Sequence, residues 1–190
     1  MQLLEQTILK YGKVYAGDVL KVDSFLNHQV DVALLNKMGA ELAGRFAGEG
    51  ITKVLTLEAS GIAVAIMAAL SLGVKMVFAK KAKTSNSSSD VYTGRVHSYT
   101  RGKDFEIVVS KEYLGKDDNV LIVDDFLATG SALYGMIDII NQAGARLKGV
   151  GIAIEKGYQG GGDKLRGEGV RVESLAIIDK MSEDGIVFRG

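Results

Sequence analysis

VLIVDDFLATGSA, residues 120–132, decides the fold that this sequence predicts. Four branched apolar residues open the segment, which is typical of a strand buried on both faces of a parallel sheet. Asp124 and Asp125 follow at the carboxyl end of that strand, where open α/β sheets bind their ligands. A turn of small residues then leads into a helix whose unpaired N-terminal amides favour an anion. The segment therefore predicts two acids beside an anion site.

The flanking sequence alternates between strand-like and helix-like patterns. Residues 51–57 are rich in β-branched residues and predict a strand, residues 58–61 predict a sharp turn, and residues 62–72 predict a helix that Gly73 ends. Two further helices are expected. One covers residues 2–11, and the other runs from Asp31, a candidate N-cap, to the glycines at 48–50. Further strands are expected at 74–79, 105–110, 147–154, 170–178 and 185–189. This alternation predicts an α/β fold with a mostly parallel sheet and helices on both faces.

Two polar or glycine-rich stretches are expected to lack regular structure. Residues 84–90 read TSNSSSD, and residues 90–100 alternate only weakly, so we expect a mobile loop or ribbon there. Residues 157–169 are expected to form a glycine-rich loop that is flexible at the three consecutive glycines 160–162.

Composition narrows the possible functions. A chain of 190 residues suffices for one ordinary domain, so we expect a single domain over residues 1–190. Cysteine is absent, which excludes thiolate chemistry, and two histidines indicate no metal cluster. The formal net charge is zero, which argues against nucleic acid as a partner. The apolar runs are too short to span a membrane and the first residues show no signal-peptide pattern, so we expect a cytoplasmic protein without a membrane partner.

A strand that ends in two acids also occurs in nucleoside triphosphatases, where an acid holds magnesium. Those proteins need a GxxxxGK[ST] loop to bind the triphosphate. The nearest match, GAELAGRF at residues 39–46, has Arg45 and Phe46 in the Lys and Ser/Thr positions and lies within a predicted helix. A dinucleotide-binding GxGxxG after a strand is also missing. The turn ATGSA, which has no lysine, instead suits a single phosphate monoester.

Residues 120–132 resemble the phosphoribosyl pyrophosphate (PRPP) signature of the type I phosphoribosyltransferases. Three further segments resemble the xanthine-specific branch of the purine enzymes in this family: LKVDSFLNHQVD at 20–31, EASGIA at 58–63 and IAIEKG at 152–157. The resemblance implies the type I phosphoribosyltransferase fold, with a small hood formed by residues 1–35 and 155–190. It also implies a homodimer, and the stretch at about 84–103 could close over small-molecule substrates to exclude water.

The resemblance assigns each part of PRPP to a segment of this chain. Asp124 and Asp125 would be the catalytic acids beside the ribose. The 5′-phosphate would be bound by Ala128, Thr129, Gly130, Ser131 and Ala132. The pyrophosphate would be bound by Glu58, Ala59, Ser60 and Gly61, with a cis peptide between Ala59 and Ser60, and by Lys80 and Lys81. Mg²⁺ is expected to arrive with PRPP, because it binds through substrate phosphates more often than in a protein cage.

The resemblance also implies a purine site made by the backbone of Leu20, the side chain of Asn27 and the ammonium of Lys156. An ammonium donates hydrogen bonds and accepts none, so Lys156 suits the carbonyl oxygen of a 6-oxopurine and disfavours adenine. Asn27 could donate to a 2-oxo group and so select xanthine.

The expected function is purine salvage, in which xanthine and PRPP become xanthosine 5′-monophosphate and pyrophosphate. Two alternatives stay open at this point. One is another base specificity, for guanine and hypoxanthine or for adenine. The other is a regulator of the same fold that senses PRPP without catalysis, which would be expected to add a DNA-binding region or a basic face, and the sequence shows neither.

Overall fold

The structure is a computed structural model that describes residues 1–82, 90–98, 103–182 and 185–190. Its helices are α1 (Gln2–Tyr11), α2 (Val32–Arg45), α3 (Gly61–Leu72), α4 (Ser131–Gln142) and α5 (Gly161–Gly167). Its strands are β1 (Lys13–Tyr15), β2 (Val19–Lys21), β3 (Lys53–Leu57), β4 (Lys75–Lys81), β5 (Val91–Ser98), β6 (Lys103–Ser110), β7 (Asn119–Leu127), β8 (Arg146–Lys156), β9 (Val172–Ser182) and β10 (Gly185–Phe188).

The main sheet has eight strands in the order β10-β9-β8-β7-β3-β4-β6-β5. The strands from β9 through β8, β7 and β3 to β4 pair in parallel. At the two edges, β10 and the β5–β6 hairpin pair antiparallel. The predicted mostly parallel α/β sheet is therefore confirmed.

Strand β7, which contains the predicted signature, lies inside this sheet and is buried on both faces. Leu121 and Val123 pack into the core that α1, α2 and α3 cover, whereas Val120 and Ile122 pack into the core that α4 covers. Successive side chains of a strand point to opposite faces, so four apolar residues in a row require helices on both sides of the sheet.

Local signals fix the helix ends as the sequence predicts. The Asp31 carboxylate accepts a hydrogen bond from the Leu34 N–H at 3.0 Å and so caps α2. Gly73 adopts φ 68°, a left-handed conformation that glycine accepts without strain, and ends α3. None of the helices in the described part of the chain has the length and apolar character needed to cross a membrane.

The two stretches expected to lack regular structure are partly ordered. Residues 91–98 form β5, whereas residues 84–89 and 99–102 of the predicted mobile loop lie outside the described residues. The prediction of a glycine-rich loop at 157–169 is wrong, because most of these residues form a short 3₁₀ turn followed by α5.

Tertiary contacts explain this order in a glycine-rich segment. The Gly161 N–H donates to the Ala128 carbonyl at 3.2 Å. The buried Glu155 carboxylate accepts from both terminal nitrogens of Arg166, at 2.9 and 2.6 Å. A Cβ on Gly162 would lie 2.0 Å from Glu155 Oε1, so a glycine is required for α5 to pack this closely on β8.

Candidate active site

A cavity of about 460 Å³ opens at the carboxyl ends of β7 and β8. All five residues of the predicted 5′-phosphate turn, 128–132, line it, and so do Phe126 and Lys156. The other lining residues are Gly17, Asp18, Val19, Val96, His97, Phe105, Leu127, Leu133 and Gln159. The cavity therefore joins the predicted phosphate turn and one predicted base contact in a single space, at the position where α/β sheets bind ligands.

The turn at residues 128–132 is held from two sides. Gly130 adopts φ 86° immediately before α4, a conformation that favours glycine. The Ser131 hydroxyl accepts the His97 N–H of β5 at 2.7 Å. On the other side, a Cβ added to Gly161 would lie 2.3 Å from the Ala128 carbonyl oxygen. The helix start that could bind an anion is thus packed between β5 and α5.

The two acids are nearly inaccessible to solvent, each with 6% of its surface exposed. The Asp124 Oδ1 accepts a hydrogen bond from the Asp125 N–H at 3.1 Å. Burial raises the pKa of Asp124 well above its usual range, and the adjacent Asp125 raises it further. Neither acid lines the 460 Å³ cavity. Asp124 instead faces the start of α3, where a Cβ on Gly61 would lie 2.2 Å from its Oδ1.

The predicted pyrophosphate turn, residues 58–61, connects β3 to α3. The cis peptide joins Glu58 to Ala59, so its predicted position between Ala59 and Ser60 is wrong by one residue. The Glu58 N–H still pairs with the Ala79 carbonyl at 3.1 Å, and the chain leaves the sheet directly after it. The Glu58 carboxylate accepts the Lys81 N–H at 2.7 Å and ties the turn to the end of β4.

The two predicted lysines beside this turn lie in different surroundings. The Lys81 ammonium is 5.5 Å from the centre of the Phe105 ring, and Phe105 lines the 460 Å³ cavity. Lys80 instead lines a separate cavity of about 600 Å³ between β4 and β6. Of the two, Lys81 is the better placed to meet a ligand in the 460 Å³ cavity.

Lys156, the last residue of β8, is partly buried beside the turn between β1 and β2. Its ammonium donates to the Asp18 carbonyl at 2.6 Å and lies 5.9 Å from the centre of the Phe126 ring. Burial lowers the pKa of Lys156, and the Asp18 carboxylate partly opposes this shift.

The other two predicted base contacts are placed differently. Leu20 lies in β2 next to Val19, which lines the cavity. Asn27 is exposed, ends a π-helical turn at Asp23–Asn27, and does not line the cavity. The structure therefore brings Lys156 into the cavity and Leu20 to its edge, and leaves Asn27 outside it.

Asp18 is a site residue that the sequence reasoning missed. It has φ 60°, which Asp tolerates better than most residues, and it follows Gly17 with φ 79°. The signal that could have found it is the short turn AGD at residues 16–18 between two strand-like triplets, a hairpin pattern.

Within the described ranges of the chain, no group of three or more His, Asp or Glu side chains is close enough to hold a metal ion. The carboxylate oxygens of Asp124 and Asp125 are nevertheless of the kind that Mg²⁺ prefers, so the site is chemically compatible with a magnesium ion that other ligands also hold.

Comparisons with known proteins agree with this geometry. The family model described as phosphoribosyl transferase domain matches residues 21–182. The chain is 55% identical over 189 residues to a xanthine phosphoribosyltransferase of Alkaliphilus metalliredigens, covering 100% of this chain and 94% of the relative. It is 57% identical over 188 residues to one of Heliobacterium modesticaldum, covering 99% and 100%. Adenine phosphoribosyltransferase from Rhodothermus marinus shares the fold, with a TM-score of 0.75 at 21% identity over 93% of this chain and 99% of that one.

Proposed function

Because this chain belongs to the phosphoribosyl transferase family and has the type I fold, we propose that it is a purine salvage enzyme acting on xanthine. It would transfer the 5-phosphoribosyl group of PRPP to N9 of xanthine and release pyrophosphate. The observation that supports this most directly is the shared cavity of Lys156 and the turn 128–132. The assignment of xanthine as the substrate rests on relatives named xanthine phosphoribosyltransferase, which are 53–57% identical to this chain over nearly its full length.

The chemistry follows from how charge develops in this transfer. The bond from the ribose C1 to pyrophosphate breaks with its electron pair leaving on pyrophosphate, C1 forms a bond to N9, and the imidazole ring of the base loses its proton to the departing pyrophosphate or to solvent. The transition state therefore has positive charge on the ribose and negative charge on the leaving group. Asp124 and Asp125 would stabilise the ribose, while the turn 58–61 and Lys81 would bind the pyrophosphate. The turn 128–132 would hold the 5′-phosphate, so that both ends of the donor are fixed.

Magnesium would enter this site bound to PRPP. Bound there, it would neutralise negative charge on the leaving pyrophosphate, which is a common role of this ion in phosphate chemistry. The oxygens of PRPP would supply most of its ligands, with the carboxylates of Asp124 and Asp125 nearby.

The base would be recognised by hydrogen-bond donors. The Lys156 ammonium has three N–H donors. One donates to the Asp18 carbonyl, and the other two are available to the 6-oxo group of a purine. Adenine presents an amino group there, so donor would meet donor. Asn27 is exposed and does not line the cavity, so its side chain would have to move toward the 2-oxo group to distinguish xanthine from hypoxanthine and guanine.

We further propose that the domain acts as a homodimer. Helix α3 is apolar around most of its circumference, and such helices are normally buried on all sides. Yet Ile66 and Leu70 expose 47% and 69% of their surface. A second copy of this chain would cover that face.

Four other predictions remain part of this proposal. They are the single domain over residues 1–190, the hood formed by residues 1–35 and 155–190, closure of the loop at about 84–103, and a cytoplasmic location without nucleic-acid or membrane partners. The packing of α1 and β1 against β9 supports a hood built from both ends of the chain.

Product analysis tests the proposal. The purified protein, incubated with PRPP, Mg²⁺ and xanthine, should form xanthosine 5′-monophosphate and pyrophosphate in equal amounts, as measured by liquid chromatography and mass spectrometry. PRPP binding without product from any purine would favour the non-catalytic regulator instead.

A further inference from the structure

Thr56, the second-to-last residue of β3, has a buried hydroxyl without a hydrogen-bond partner among the residues that the structure describes. The side chain is fully buried, and within the described part of the chain its Oγ1 is the one buried side-chain polar atom that makes no hydrogen bond. Buried hydroxyls are almost always paired, so an unpaired one calls for an explanation. Valine has nearly the same shape and is favoured in strands, so packing alone does not explain why this position has a hydroxyl.

The hydroxyl lies next to the candidate catalytic acid. A Cβ built on Gly61 would lie 2.3 Å from Thr56 Oγ1 and 2.2 Å from Asp124 Oδ1, so both oxygens crowd the same point. Only glycine fits at position 61 without displacing one of them. Three segments of the proposed site thus meet here: β3, the turn before α3, and the acid pair of β7.

Asp124 has the capacity to accept a further hydrogen bond. Its Oδ1 accepts the Asp125 N–H, whereas a carboxylate offers about four lone-pair sites. Thr56 can donate one. Because the χ1 torsion of a β-branched side chain is stiff, the position of the Thr56 hydroxyl is well defined.

We propose that Thr56 is a positioning residue whose hydroxyl donates a hydrogen bond to the Asp124 carboxylate when PRPP fills the site, and thereby orients that carboxylate toward the ribose. This inference rests on the proposed function. The Thr56 hydroxyl has no hydrogen-bond partner in the described ranges of this structure, and a small rotation of the Asp124 carboxylate would bring its oxygen within hydrogen-bond distance.

The test compares Thr56→Val, which removes the hydroxyl and keeps the shape, with Thr56→Ser, which keeps the hydroxyl. Thr56→Val should lower kcat/KM for PRPP by about tenfold or more and weaken PRPP binding in calorimetry by a similar factor. Its melting temperature should stay equal or rise, because a buried unpaired polar group is lost. Thr56→Ser should retain kcat/KM and PRPP affinity within about twofold of the original protein.

Thr52, the residue directly before β3, offers a matched control. The Thr52 hydroxyl accepts the Asn119 N–H at 2.9 Å and donates to Asp118 at 3.1 Å, at the start of β7, whereas the acid pair lies toward its carboxyl end. Thr52→Val should therefore show the opposite pattern, with a lower melting temperature and unchanged kcat/KM.

Two results would overturn the inference: kcat/KM and PRPP affinity unchanged in Thr56→Val, or equal losses in Thr56→Val and Thr56→Ser. If the original protein turned over no purine, the proposed function would fail, and PRPP affinity alone would decide the role of Thr56.

Discussion

The ammonium of Lys156 donates a hydrogen bond to the main-chain carbonyl of Asp18 over 2.6 Å. The two residues are 138 positions apart, so this bond joins the end of β8 to the hairpin of β1 and β2. It fixes the direction of the side chain and leaves its remaining donors for a ligand. The proposed preference for 6-oxopurines depends on this arrangement.

Replacing Lys156 by alanine should lower kcat/KM for 6-oxopurines by about tenfold to a hundredfold, because a hydrogen bond from a charged group is lost. The slow rate with adenine should not fall. Steady-state kinetics with each base would measure both effects, with Lys37→Ala, an exposed position on α2, as the control. An unchanged rate with xanthine would remove Lys156 from the base site.

Replacing Gly161 by alanine should raise the KM for PRPP by about tenfold to a hundredfold. The new Cβ would lie 2.3 Å from the Ala128 carbonyl oxygen and push the 5′-phosphate turn out of position. Gly167→Ala, in the same helix, is the matched control, because a Cβ there meets nothing within 4 Å. Equal KM values for the two variants would show that α5 does not support the turn.

The rate should fall as the pH falls through the raised pKa of Asp124. Burial raises the pKa of Asp124, so its carboxyl gains a proton as the pH falls through that raised value and can then no longer stabilise positive charge on the ribose. The acid limb of kcat/KM for PRPP, which reports the free enzyme, should therefore lie well above about pH 4, where an ordinary aspartate titrates.

Two variants test whether Asp124, rather than another titrating group, produces the acid limb of the pH–rate profile. Asp124→Asn should slow the reaction and abolish the limb, whereas Asp138→Asn, on the exposed surface of α4, should retain both rate and limb. A limb that persists in Asp124→Asn would assign it to another group.

Replacing Leu70 by glutamate should convert a dimer to a monomer, because a charge would be buried in the proposed interface. Light scattering after size exclusion would measure the mass. Val187→Glu, at another exposed apolar position, should remain dimeric. The proposed interface is wrong if Leu70→Glu keeps the mass of a dimer or if the original protein is a monomer.

The sequence predicts those elements whose cause is local. The strand and turn at residues 120–132, the cap at Asp31 and the left-handed Gly73 each follow from a few neighbouring residues, and the structure confirms them. The resemblance to the type I family, which the comparisons confirm, supplied the candidate site.

The features that the sequence misses depend on contacts between distant segments. Helix α5 is rich in glycine, which disfavours helices, and it exists because Gly161 and Gly162 pack against the phosphate turn and Glu155. The Asp18 carbonyl becomes a partner of Lys156 only after the hairpin folds over β8. The unpaired Thr56 hydroxyl cannot be recognised without the position of Gly61.

The central claim is transfer of phosphoribose to xanthine, and a comparison of four bases tests it most directly. We would measure kcat/KM for xanthine, guanine, hypoxanthine and adenine at saturating PRPP, with Mg²⁺ and with the metal chelated. The account predicts the highest value with xanthine, the lowest with adenine, and loss of all activity on chelation. A preference for adenine, or no turnover of any base, would contradict it.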